Sequence, residues 1–151
     1  MAVDFDNLHH MPTIKVAMTP FPFFVGIDEP IATARTMMRE HEIRHLPVTE
    51  KGALVGVLSE RDLGLVESSS VAGGWSEGLT VRSACVLDAF VVGLDAPLGW
   101  VLQEMADRHI GSALVVKSKK LVGILTQSDA CRLLAGFLRA RFPTDEDDGV
   151  A

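Results

Sequence analysis

Two short stretches of the chain repeat one order of residue types. "GVLSERD" at Gly56–Asp62 and "GILTQSD" at Gly123–Asp129 each run glycine, two apolar residues, a hydroxyl, two variable residues and an aspartate. Ser59 with Asp62, and Thr126 with Asp129, fit the spacing [ST]-x-x-[DE] where a strand would hand over to a helix. That spacing makes a capping box, in which the hydroxyl and the carboxylate satisfy free N–H groups at the helix start. The same place suits a second chemistry. A helix N-terminus after a strand attracts anions, and a hydroxyl there can hydrogen-bond a phosphate. An aspartate one turn in can accept two hydrogen bonds from a cis diol such as ribose. Gly56 and Gly123 would let a flat ring approach the backbone. Taken singly, either copy reads more simply as a cap. Capping boxes favour Glu or Gln at the fourth place, however, and both copies use the shorter Asp, which tilts the reading toward the diol.

The elements that must position these residues are themselves repeated. Lys15–Asp62 aligns with Arg82–Asp129 without a gap, and 14 of the 48 pairs are identical, Phe23/Phe90, Asp28/Asp95, Pro30/Pro97 and Val48/Val115 among them. Two copies of one unit therefore set the architecture. In each, a short strand ends near Val25 or Val92, and Asp28 or Asp95 can cap a helix with proline near its first turn. Ile31, Ala34, Met37 and Met38, and likewise Leu98, Val101, Leu102 and Met105, mark single apolar helix faces. "HLPV" and "ALVGVL", then "ALVV" and "KLVGIL", read as strand pairs across polar turns. A second helix follows, carrying Ala130, Leu133, Leu134, Phe137 and Leu138 on one face in copy two. The expected fold is α+β: two β-α-β-β-α units packed sheet to sheet with pseudo-twofold symmetry, since neither three-stranded sheet buries both faces alone. The expected divisions are an extension at 1–12, unit one at 13–67, a Ser- and Gly-rich linker at 68–79, unit two at 80–141 and an acidic tail at 142–151, expected frayed.

Bulk properties exclude several classes. The 151 residues are 48% hydrophobic, enough for a buried core. A net charge of −6 argues against nucleic acid and anionic membranes as partners. No apolar run is long enough to span a bilayer, and the start lacks a secretory pattern. Cys85 and Cys131 fit no metal spacing and read as buried thiols in a reducing compartment, so the cytoplasm is expected. No Ser-His-Asp or Cys-His grouping and no G-x-x-x-x-G-K-[ST] loop is present, so no enzyme activity, metal or required cofactor is expected.

The repeated units, "MTP" opening the first, "IRHLPV" before its strand pair and G-h-h-[ST]-x-x-D closing each, resemble a tandem pair of CBS (cystathionine β-synthase) domains, a Bateman module, over about Thr13 to Ala140. The resemblance implies a cleft between the halves with two pockets for adenosine compounds such as AMP, ADP, ATP or S-adenosylmethionine. It also implies a sensor role, a homodimer and a separate, unknown protein effector. Carried over by position, Asp62 and Asp129 would hold ribose hydroxyls, and Ser59 and Thr126 would contact ribose or phosphate. Thr19 and Pro20 would line the first pocket, Val48 and Val115 would flank the adenine, and Arg44, His45 and Arg61 would face phosphates. Copy two has Gly111, Ser112 and Ser128 in place of those three cations, so the Asp62 pocket is expected to be the stronger. The alternative is a ligand-free dimerisation or scaffold module in which both motifs are only caps.

Other features have plain readings. His9-His10 and the Lys117, Lys119 and Lys120 cluster read as solvated, and the methionines as core. Trp75 reads as a loop or partner anchor. The run Phe21 to Phe24 reads as part strand core and part dimer surface.

Overall fold

A computed structural model describes residues 9–73 and 78–143. Trp75 and almost all of the acidic tail lie outside the described residues. In chain order the elements are β1 (Thr19–Pro20), β2 (Val25–Gly26), α1 (Ile31–Glu40), β3 (His45–Glu50), β4 (Ala53–Ser59), α2 (Glu60–Gly73), β5 (Val91–Gly93), α3 (Leu98–Asp107), β6 (Ser112–Lys117), β7 (Lys120–Thr126) and α4 (Gln127–Arg141). Single 3₁₀ turns at Ile14–Val16 and Val81–Ser83 open the two units.

Apolar spacing places the helices as the sequence implies. Ile31, Ala34 and Met38 are buried on α1, and Leu98, Val101 and Met105 on α3. Each packs on its own sheet, making one core per unit. On β3, Leu46 and Val48 face the helices, while the neighbouring Pro47 is fully buried on the other side. Leu114 on β6 is buried in the same way. Both faces of the central strands are therefore covered, and the sheets meet where β4 approaches β7.

The sheets are not two equal three-stranded sets. One has the order β2-β3-β4, and the other has four strands, β1-β7-β6-β5. The first unit's leading strand has crossed over, pairing Thr19 with Ile124 and Pro20 with Gly123. The second unit makes the mirror crossing as a single bridge, Val57 to Val86. The exchange runs through both leading segments. The amide of Ile14 donates to the carbonyl of Ala96 at 2.9 Å, and that of Val81 to the carbonyl of Glu29 at 2.8 Å. Ile14 consequently lies in the second unit's core, and Val81 in the first's.

Four sequence expectations need correction. Asp28 and Asp95 cap no helix, because Pro30 and Pro97 hold the N-cap positions without side-chain caps. The aspartates instead accept from the other unit, Asp95 from Lys15 at 2.7 Å and Asp28 from Arg82 at 2.9 Å. The stretch read as a linker begins as helix, since α2 continues to Gly73. Its extension is held by a two-pronged Arg35–Glu67 pair to α1. Phe21, Phe23 and Phe24 are all exposed, so none of them is strand core; Phe23 stacks on His41 with ring centroids 3.7 Å apart. Cys85 is only half-buried, and Cys131 is exposed on α4.

Candidate functional site

The two repeated motifs fold as capping boxes. Asp62 Oδ2 accepts from the Ser59 amide at 2.9 Å and from Ser59 Oγ at 2.5 Å. The Asp62 amide donates back to Ser59 Oγ at 3.2 Å. Thr126 and Asp129 repeat the pattern at 2.8, 2.6 and 3.3 Å. Each helix start is also tied to the strand opposite, through Glu60 N to Arg44 O and Gln127 N to Gly111 O. The cap uses one carboxylate oxygen only. Among the described residues Asp62 Oδ1 has no partner, whereas Asp129 Oδ1 accepts from Arg132 Nη1 at 3.0 Å. Cap and binding group are thus compatible at Asp62, and the two copies differ in the oxygen a ligand would use.

A cleft of about 670 Å³ opens at the Asp62 side. Arg44, His45, Ser59, Arg61 and Asp62 converge on it from the first unit. The opposite wall comes from the second unit, chiefly Val86, Asp88, Phe90, His109 and Gly111. Arg44 is highly exposed and stands 3.8 Å from Glu60, a loose ion pair. His45 lies deeper. A methyl group at Gly111 would stand 2.7 Å from His45 Nε2, so the imidazole fills the notch that this glycine leaves. Burial lowers the His45 pKa from its ordinary 6.5; Asp62 opposes this, Arg44 reinforces it, and Asp129 opposes it more weakly. His45 therefore sits between the two motifs, within reach of both carboxylates' fields.

The structure does not bring every expected residue to this cleft. Thr19 and Pro20 do not line the Asp62 side, because the strand exchange carries them to β7 beside the Asp129 motif. Val86 takes their place at Asp62. Val48 and Val115 are fully buried in the two cores, so their side chains cannot flank a ring in the cleft. Thr126 and Asp129 stand at the mirror position rather than in the cleft lining. The two glycines also serve another purpose. A Cβ at Gly56 would lie 2.4 Å from the Val86 carbonyl oxygen, and one at Gly123 would lie 2.4 Å from Met18 Sδ. They admit the crossing segments rather than a ligand's ring. Asp88, His109 and Arg132 are additions that the gapless alignment obscures. Asp88 aligns with Phe21 and His109 with Glu42, and Arg132 lies just past the aligned segment.

A second, apolar groove of about 1010 Å³ lies between α3 and α4, lined by Leu98, Leu102, Leu133, Leu134 and others. His9 and His10 border it. Among the described residues no group of three or more His, Cys, Asp or Glu could hold a metal ion, and no helix is long and apolar enough to cross a membrane.

Comparisons with known proteins agree with this arrangement. The CBS domain profile matches residues 14–63 and 81–136. The CBS domain-containing protein YhcV of Bacillus subtilis is 31% identical over 120 residues, 79% of this chain and 83% of that one. The CBS domain pair of protein MJ0100, solved with 5′-methylthioadenosine and S-adenosyl-L-methionine, superposes with a TM-score of 0.73 at 24% identity, over 85% of this chain and 99% of that one. CBSX2, solved in complex with AMP, gives a TM-score of 0.72 at 25% identity, over 85% and 99%. Two profile matches in tandem, carried on two exchanged β-α-β-β-α units, place this chain in the CBS domain family as a CBS domain pair.

Proposed function

We propose that this chain is a regulatory module that works by binding rather than catalysis, and that it takes an adenosine compound into the cleft beside Asp62. One observation carries the reading: Asp62 is fixed through Oδ2 by its own cap, has Oδ1 unpaired among the described residues, and lines a cleft that also holds Arg44, His45 and Arg61. A carboxylate oxygen held in place accepts from vicinal hydroxyls at little ordering cost. The AMP held by CBSX2 supports the ligand class. Because the cleft walls come from different units, a ligand there biases how the units sit together, and an effector protein or a second copy reads that change. Asp129, with Oδ1 taken by Arg132, is the weaker position.

The test is calorimetric titration with AMP and 2′-deoxy-AMP. AMP is expected to bind, the deoxy form to bind at least tenfold more weakly, and Asp62→Asn to abolish the difference. A ligand at a hundredfold its Kd adds about 2.7 kcal/mol of stability, so thermal shift reports the same result. Equal binding of the ribo and deoxy forms overturns ribose recognition by Asp62.

A second reading, a dimerisation or scaffold module, draws on the apolar α3–α4 groove. The two are compatible if the groove seats a second copy while the cleft binds the ligand.

A further inference from the structure

The charges around the cleft bear on which adenosine compound it takes, an inference that rests on the adenosine reading above. Leaving the imidazoles aside, two cations, Arg44 and Arg61, line it against three anions, Glu60, Asp62 and Asp88. Arg44 is already drawn toward Glu60. Of the two cleft cations, Arg61 is then the one without an ion-pair partner among the described residues, and Asp88 has none there either. The N-terminus of α2 would ordinarily favour an anion, but its first turn already carries Glu60 and Asp62, which offset the helix dipole there.

A 5′-polyphosphate brings several negative charges. Holding them out of water requires charge-assisted donors to match. One unpaired guanidinium in a cleft that Asp88 also lines does not supply them, and the surplus carboxylate repels them. A neutral 5′ substituent meets no such penalty, and a cationic one gains from Asp88. We infer that the cleft selects adenosine compounds whose 5′ substituent is neutral or positively charged, a thioether or a sulfonium, over 5′-polyphosphates, with Asp88 as the specificity-determining residue. In the repeat alignment its counterpart is Phe21, so the selection belongs to one side of the module.

The experiment measures Kd for 5′-methylthioadenosine, S-adenosylmethionine, AMP and ATP by calorimetry on the full chain and on Asp88→Asn and Asp88→Lys. Ratios taken within each protein cancel any general loss from the substitution. The native chain is expected to bind the thioether and sulfonium compounds at least tenfold more tightly than ATP. Asp88 is exposed to solvent, so Asp88→Asn should narrow the sulfonium-to-ATP ratio by about fivefold, and Asp88→Lys should invert it. The native ratio should also shrink as salt rises. ATP binding as tightly as the sulfonium compound, or a ratio that Asp88→Asn leaves unmoved, overturns the inference and leaves the adenosine reading standing. Failure of all four compounds to bind overturns both.

Discussion

Asp62 gives one oxygen to its cap and leaves the other without a partner among the described residues, and His45 beside it gives this corner a pH response. Burial holds the imidazole pKa below 6.5 in the folded chain. The unfolded chain therefore takes up a proton first as the pH drops. The sign follows from linkage: the native state has its full advantage above about 6.5 and loses it as pH falls toward the lowered folded value. The groups facing the ring are Arg44, which reinforces the shift, and Asp62 and Asp129, which temper it. Melting curves from pH 5 to 8 should show the native chain losing stability relative to His45→Gln below about 6.5. A difference between the two that stays flat across the range would dismiss this role. At this scale the sequence was legible where chemistry is local. The [ST]-x-x-D spacing identified both caps, and Arg44, His45 and Arg61 adjoin Asp62. Asp88 was not legible, since nothing local in "VLDAF" says that it lines a cleft shared with the start of the other unit's helix.

The same limit governs the elements. The helix faces of α1 and α3 follow from periodicity because each helix buries its face against its own unit. The leading segments break that rule. Their 3₁₀ turns and β1 are too short for a period, and their partners lie in the other copy, so strand exchange leaves no signature in the pattern. The helical start of the linker was hidden for another reason. Serines are poor helix formers, but Glu67, just before Ser68 and Ser69, is anchored to α1 by Arg35. Tertiary contacts override the propensity there. The exchange can be tested at one apolar residue. Ile14 is fully buried in the core of the unit to which it does not belong in sequence. Ile14→Ala should cost about 2–5 kcal/mol in urea unfolding, as large-to-small core substitutions do. The adjacent Lys15→Ala should leave the curve nearly unmoved, because its pair with Asp95 is exposed. Comparable effects from both would mean that Ile14 is not a core residue.

At the scale of the whole molecule, the exchange joins two sequence repeats into one body, and an apolar surface is left over on its α3–α4 side. No residue of α4 is buried, although Leu133, Leu134, Phe137 and Leu138 share a face. Leu134 is 56% exposed, and with α3 this face lines the apolar groove. An amphipathic helix forms that stripe to cover it, and apolar patches of this kind mark association surfaces. A second copy is the occupant expected here. The pseudo-twofold places the counterpart pair, α1 and α2, on the other unit, so a homodimer built on α3 and α4 remains open to an effector at α1 and α2. Leu134→Glu puts a charge in the groove away from the cleft. It should convert a dimer to a monomer in analytical ultracentrifugation while AMP still binds. A native chain that sediments as a monomer at all concentrations would remove the homodimer and leave the groove to the effector. A dimer that survives Leu134→Glu would move the contact to another face, where the exposed Phe21, Phe23 and Phe24 are the next apolar group.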